Sequence, residues 1–214
     1  MKCIIFNDKE NSDRSLDQLN KKRNSTAKRF WKIDLFHKFI LKKVGEFLDK
    51  RVHSLELVKT LIYTGEYNQK VLLNARRNCN SKIKEMNELI TKEDLLLEKI
   101  SRIKDHDDLR NEVTEHVNSI KEVFQRTKEK NIQVIAQQSR KAAGQQKFFD
   151  YVRDAIPLTE FRTTPLVTRQ GIIQQKGVDA KLSTDLLLLA QSNAFDVAIL
   201  LTGDADMKEN IQLI

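Results

Sequence analysis

Val197-Ala198-Ile199-Leu200-Leu201-Thr202-Gly203-Asp204-Ala205-Asp206 joins the clearest apolar run of the chain to a pair of acids. Five apolar residues in a row predict a strand covered on both faces, as in a parallel sheet packed between helices. Thr202-Gly203 ends the run, and two carboxylates follow at once. Working outward, Cys3-Ile4-Ile5-Phe6 predicts a second buried strand that stops at Asn7-Asp8. Leu57 to Tyr63 predicts a third, closed by Thr64-Gly65, and Phe161 to Thr168 reads as extended, with Pro165 giving it an edge-like character. Helical patterns separate these runs. The alternation predicts an α/β fold with a mainly parallel sheet flanked by helices. Six Gly and two Pro in 214 residues are too few for the many turns of an all-β fold.

The middle of the chain has another character. No Gly or Pro occurs from Glu66 to Ala143. Apolar residues fall at Ile83, Met86, Ile90, Leu97, Ile100 and Ile103, then at Leu109, Val113, Val117, Ile120 and Phe124, with Asp105-His106-Asp107-Asp108 between the two sets. Steps of three and four predict two amphipathic helices. The polar break predicts that they fold back on each other as a helical hairpin. The expected organisation is a sheet domain made of residues 1–81 and 146–214, with residues 82–145 as a helical insertion. Acids and bases are about equal in number along this insertion, so it is not the expected polyanion-binding face. Its apolar stripe must pack on itself, on the sheet domain or on a second copy.

The basic excess is instead concentrated at residues 21–51, which carry eleven Lys and Arg against three acids. The whole chain has a formal charge of +8. Phe30, Trp31, Phe36, Phe39 and Phe47 interleave with these bases, a pattern suited to a polyanion with stackable bases. The same rings also fit a plainer arrangement. Phe36, Ile40, Val44, Phe47 and Leu48 recur at helical spacing, as in a packed helix with a solvated basic face. Lys28, Arg29, Phe30, Trp31 and Lys32 are the better candidates for nucleic-acid contact.

Four acids stand at telling places. Asp8 follows the first strand, Asp204 and Asp206 follow the last, and Asp179 precedes a helix expected to begin around residues 181–184. In an open parallel sheet the carboxyl ends of neighbouring strands form the ligand crevice, so Asp8 and Asp204 would face each other there. Converging carboxylates repel unless a cation intervenes, and an all-oxygen set suits Mg²⁺ or Mn²⁺. Such an ion activates water and neutralises charge on a phosphate, so the pattern points to phosphodiester hydrolysis. Structural roles compete for the same residues. Asp179 and Asp206 are each placed to cap a helix, and Asp185 would lie in a first turn, where a negative charge is favoured anyway.

Three blocks resemble the NYN domains, a branch of the PIN-like nucleases. Ile4-Ile5-Phe6-Asn7-Asp8-Lys9-Glu10-Asn11 resembles their opening strand, which ends in Asp, two residues and Asn. Lys176-Gly177-Val178-Asp179 is similar to a central Lys-x-Val-Asp block. Thr202-Gly203-Asp204-Ala205-Asp206-Met207 is similar to a Ser-Gly-Asp-x-Asp-Phe block, with Thr for Ser and Met for Phe. Lys9 stands where the family has a small residue. In pattern, the LabA-like branch is nearest.

The resemblance implies a Rossmann-like PIN fold and a divalent-metal endoribonuclease. On matching positions Asp8, Asp179, Asp204 and Asp206 would be catalytic metal ligands, with Asn11 and Asp185 in support. A non-catalytic RNA-binding or protein-interaction module of the same fold is the alternative, because many members of the branch lack demonstrated cleavage. The family's sheet adds a strand after the last block, whereas this chain stops eight residues past Asp206. The expectation is an open sheet edge, with self-association through that edge or through the helical insertion. No apolar run is long enough to cross a bilayer, and two cysteines, Cys3 and Cys79, form no disulfide framework or zinc spacing. A cytoplasmic address is expected.

Overall fold

The computed structural model describes residues 1–14, 33–49, 54–103, 106–169, 172–204 and 207–211. Lys28, Arg29, Phe30, Trp31, Lys32 and Asp206 lie outside the described residues.

The elements run β1 (Lys2–Asp8), α1 (Ile33–Phe47), β2 (Glu56–Glu66), α2 (Gln69–Ser101), α3 (Asp107–Ala155), β3 (Thr159–Pro165), β4 (Val167–Arg169), β5 (Ile172–Gln174), α4 (Val178–Gln191), β6 (Val197–Leu201) and α5 (Met207–Ile211). Residues 9–14 are also helical. The chain divides into two compact units. One comprises Met1–Glu66, Gln145–Val167 and Gln174–Ile214, and the other Tyr67–Gly144 with Thr168–Ile173.

The first unit is built on a four-stranded sheet of order β3-β2-β1-β6, in which all three pairings are parallel. This is the mainly parallel, helix-flanked α/β architecture expected from the sequence. β1 is buried on both faces from Cys3 onward, which explains why its sequence is a continuous apolar run and does not alternate. Alternate side chains still go to opposite sides. Ile4 and Phe6 join Leu61 and Tyr63 of β2 beneath Val178, Leu182 and Leu186 of α4. Cys3 and Ile5 join Leu55 and Ile199 on the other side, against Ile40, Leu41 and Val44 of α1. Ile62 meets Val152 and Ile156 from the end of α3 and the segment after it.

Two expectations are corrected. Ile40, Val44 and Leu48 do pack inward, but Phe39 and Phe47 are exposed, Phe47 by 86%. Helical spacing alone does not distinguish a buried ring from one at the rim. β2 also runs on through Thr64 and Gly65 to Glu66. Gly65 does not stop the strand; it permits a close approach. A Cβ there would lie 2.3 Å from Leu166 Cδ2. Its N–H donates to Gln175 Oε1 at 2.9 Å and its carbonyl accepts from Gln145 Nε2 at 2.7 Å.

The second unit holds two long helical segments, from α2 and α3. Asn68 caps α2, its side chain accepting from the Val71 N–H at 2.9 Å. Tyr67 donates to Gln138 at 3.0 Å, and Lys121 pairs with Asp94. These contacts fix an antiparallel arrangement. No helix among the described residues is long and apolar enough to cross a membrane.

Candidate functional site

The sheet order locates a crevice. The chain builds outward from β1 through β2 to β3, and later returns to place β6 on the opposite flank of β1. The order therefore reverses between β1 and β6. In open parallel sheets, ligands bind outside the carboxyl ends of the strands at such a reversal. Asn7 is level with Leu201, so the last residue of β1, Asp8, emerges beside the Thr202-Gly203-Asp204 turn.

Asp8 is 1% exposed. Its parity along β1 matches Ile4 and Phe6, so its side chain lies on the face covered by α4. Asn11, one helical turn on, binds it twice, with N–H to Oδ1 at 3.3 Å and Nδ2 to Oδ2 at 2.6 Å. The Glu10 backbone N–H adds a weaker hydrogen bond to the same carboxylate. Asn11 also reaches the neighbouring turn, since a Cβ on Gly203 would sit 3.9 Å from Asn11 Cβ. Burial raises the Asp8 carboxyl above the ordinary carboxylate range; the Asn11 hydrogen bonds oppose this, and the charge of Asp179 adds to it. Asp8 and Asp179, far apart in sequence, thus feel each other directly. The preceding residue points to the other face, where Asn7 Oδ1 accepts from Ser12 Oγ at 2.7 Å.

α4 begins at Val178, earlier than its sequence suggests. Gly177 at its N-cap has φ +78°, a conformation glycine adopts without steric cost, and makes no side-chain cap. Asp179 is therefore not the cap. It stands in the first turn, held by Val178 and Leu182, which are buried against β1 and β2. Asp204 is half-buried, and its N–H donates to Thr202 Oγ1 at 3.1 Å. The hydroxyl shared by Thr and Ser at this position shapes the turn that carries the acid.

Asp185 lies in the middle of α4, not in a first turn. Its Oδ2 accepts from the Tyr63 hydroxyl at 3.1 Å and is 3.8 Å from Arg162 Nε. Burial, then the Asp185 charge, push the Tyr63 phenol far above its ordinary value, so it remains a neutral donor. Neither Tyr63 nor Arg162 is marked by any motif, but both are set by register: Asp8 is level with Tyr63, and Tyr63 with Arg162. Lys9 does not reach into the crevice. It pairs with Asp13 and lies 4.9 Å from the centre of the Phe148 ring. Lys181 donates to the Thr163 carbonyl at 2.9 Å.

The structure thus brings together Asp8, Asn11, Asp179 and the turn bearing Asp204, and ties Asp185 to Tyr63 and Arg162. Among the described residues, no group of three or more His, Cys, Asp or Glu side chains is close enough to hold a metal ion.

No curated protein and no solved structure matches the chain. The family model described as NYN domain matches residues 95–213, more than half of the sequence and inclusive of the Asp179 and Asp204 blocks. With its parallel sheet and its acids at the strand ends, the chain belongs to the NYN domain family.

Proposed function

We propose that this chain is a nuclease of the LabA-like kind, an endoribonuclease that uses Mg²⁺ or Mn²⁺ to hydrolyse RNA phosphodiester bonds. The observation that carries the reading is Asp8, a buried carboxyl at the reversal point of the sheet, in the field of a second acid, Asp179. A divalent cation fits this donor set. It offsets both the burial penalty and the repulsion that disfavour charge on Asp8. Asp8, Asp179, Asp204 and Asp206 would hold it. When bound, such an ion lowers the pKa of a water and stabilises negative charge on the phosphate. Asn11 fixes the rotamer of Asp8, and the Thr202 hydroxyl fixes the turn that presents Asp204. The experiment is RNA cleavage with Mn²⁺ or Mg²⁺ by wild type, Asp8→Asn and Asp204→Asn. Cleavage that survives either substitution, or survives chelator, rejects the assignment.

A second reading has its own support. Both Asp8 oxygens already accept from Asn11, and the described residues hold no three-acid group. A domain that binds RNA without cutting it, in the cytoplasm, would bind with strong salt dependence and yield no products with any metal. Exposed Leu95, Leu96, Ile103 and Leu109, near the turn between α2 and α3, also suit contact with a second copy. Their joint replacement by polar residues would then abolish self-association.

A further inference from the structure

Summed along the sequence, residues 67–144 carry sixteen Lys and Arg against twelve acids, a modest basic excess. Folding separates the two signs. Ala75 and Cys79 of α2 and Val134 and Ile135 of α3 line one cavity of about 310 Å³, so residues 67–84 lie beside residues 126–144. The Lys121–Asp94 pair puts the remaining parts of the two helices together. The first pair of stretches carries ten Lys and Arg against a single acid, Glu129. The stretch between them, residues 85–125, carries six bases against eleven acids. The antiparallel fold therefore sorts these mixed charges into one basic half and one acidic half.

All bases of the basic half except the half-buried Lys128 are exposed. Arg126, Lys130, Arg140 and Lys141 are all exposed and fall within one broad face of α3, along with Gln133 and Gln137. Lys70 and Arg77 of α2 are exposed seven residues apart, on one line of that helix. Arg126 pairs with Glu122 at 3.1 Å. Among the described residues, Lys70, Arg77, Lys130, Arg140 and Lys141 have no carboxylate within ion-pair distance. Arg126 to Lys141 spans about 22 Å at ~1.5 Å per residue.

We propose that this basic half is a docking surface for the phosphate backbone of RNA. The choice of RNA among polyanions rests on the nuclease reading above; the surface itself does not. Tyr67 is the only aromatic residue in these two stretches, and its hydroxyl is turned to Gln138. Stacking on bases is therefore not the mode of binding, and recognition is by charge and backbone shape, as for duplex RNA. The acidic half repels the same polymer and confines it to the basic half.

The test is the salt dependence of binding of a fluorescent RNA duplex to the full chain, by anisotropy, with EDTA present to prevent cleavage. The variant combines Arg126→Gln, Lys130→Gln, Arg140→Gln and Lys141→Gln, with far-UV circular dichroism to verify helix content. Losing four phosphate contacts lowers the slope of log affinity against log salt by about three, so between about 50 and 200 mM salt the wild type loses some 50–150-fold more affinity than the variant. Arg126→Lys with Arg140→Lys keeps the wild-type slope, as does Lys92→Gln with Lys99→Gln in the acidic half. A quadruple variant that binds with unchanged slope overturns the proposal, as does equal, competing binding to phosphatidylserine vesicles. The two readings separate cleanly. Unchanged binding with cleavage that depends on Asp204 rejects the surface alone, and a changed slope with no cleavage under any metal rejects the nuclease alone.

Discussion

Tyr63→Phe isolates one hydrogen bond. The Tyr63 ring is fully buried and stacked on Phe6 at 6.4 Å with planes 10° apart, and Phe keeps that packing. What is lost is the 3.1 Å bond from the phenol to Asp185 Oδ2. A hydrogen bond to a charged acceptor contributes about 1.5–3 kcal/mol net. The Asp185 side chain is 22% exposed and Arg162 Nε remains 3.8 Å away, so water and the guanidinium take over part of the role. The lower end, about 1.5 kcal/mol, is therefore expected, or roughly a 3–6 °C fall in Tm for a chain of this size. The two units need not melt together, so the sheet unit is best followed by native-state hydrogen exchange at Leu61, Ile62 and Tyr63. A double-mutant cycle with Asp185→Asn should return a coupling of at least about 1 kcal/mol. Additive effects of the two substitutions would refute the bond, and would free Asp185 to act at the crevice instead of anchoring α4.

Three further outcomes follow from the same contacts. Asp8→Asn should flatten the dependence of stability on pH. The carboxyl is raised on folding, so its cost is absent below the unfolded carboxyl range and grows as pH climbs through the folded value; urea midpoints at neutral and low pH should differ accordingly. Mn²⁺ should stabilise the wild type, by about 2.7 kcal/mol at a hundred times its Kd, and leave Asp8→Asn unmoved in thermal melts. Leu182→Ala, at a fully buried position between Asp179 and the sheet, should cost about 3–5 kcal/mol by urea denaturation, and loosen the turn that holds Asp179.

Much of this protein is written in local pattern. β1 is legible because a strand buried on both faces reads as an apolar run; β6 reads the same way, yet it is an edge strand in which only Ile199 is buried and Ala198 is exposed. The α2–α3 hairpin is legible because its apolar steps keep helical period. Asp8 and Asp204 are legible because each stands at or just past the end of a strand, and Asp179 because it opens a helix. The end of β2 is not, because Gly65 carries two meanings and only Leu166, brought close by the fold, decides between them. Phe47 is not, because period does not say where a helix leaves its sheet.

The sequence by itself determined the class of fold, the strand ends that bear acids and the family. Tertiary structure alone decided which of those acids meet. The β3-β2-β1-β6 order puts Asp8 beside the Gly203 turn and within the field of Asp179, and strand register hands Asp185 to Tyr63 and Arg162. It also decided where charge accumulates, because two antiparallel helices place residue 77 near residue 135 and leave the intervening acids at the other end. Electrostatic energy depends on distance through space, and chain order carries that distance only within an element.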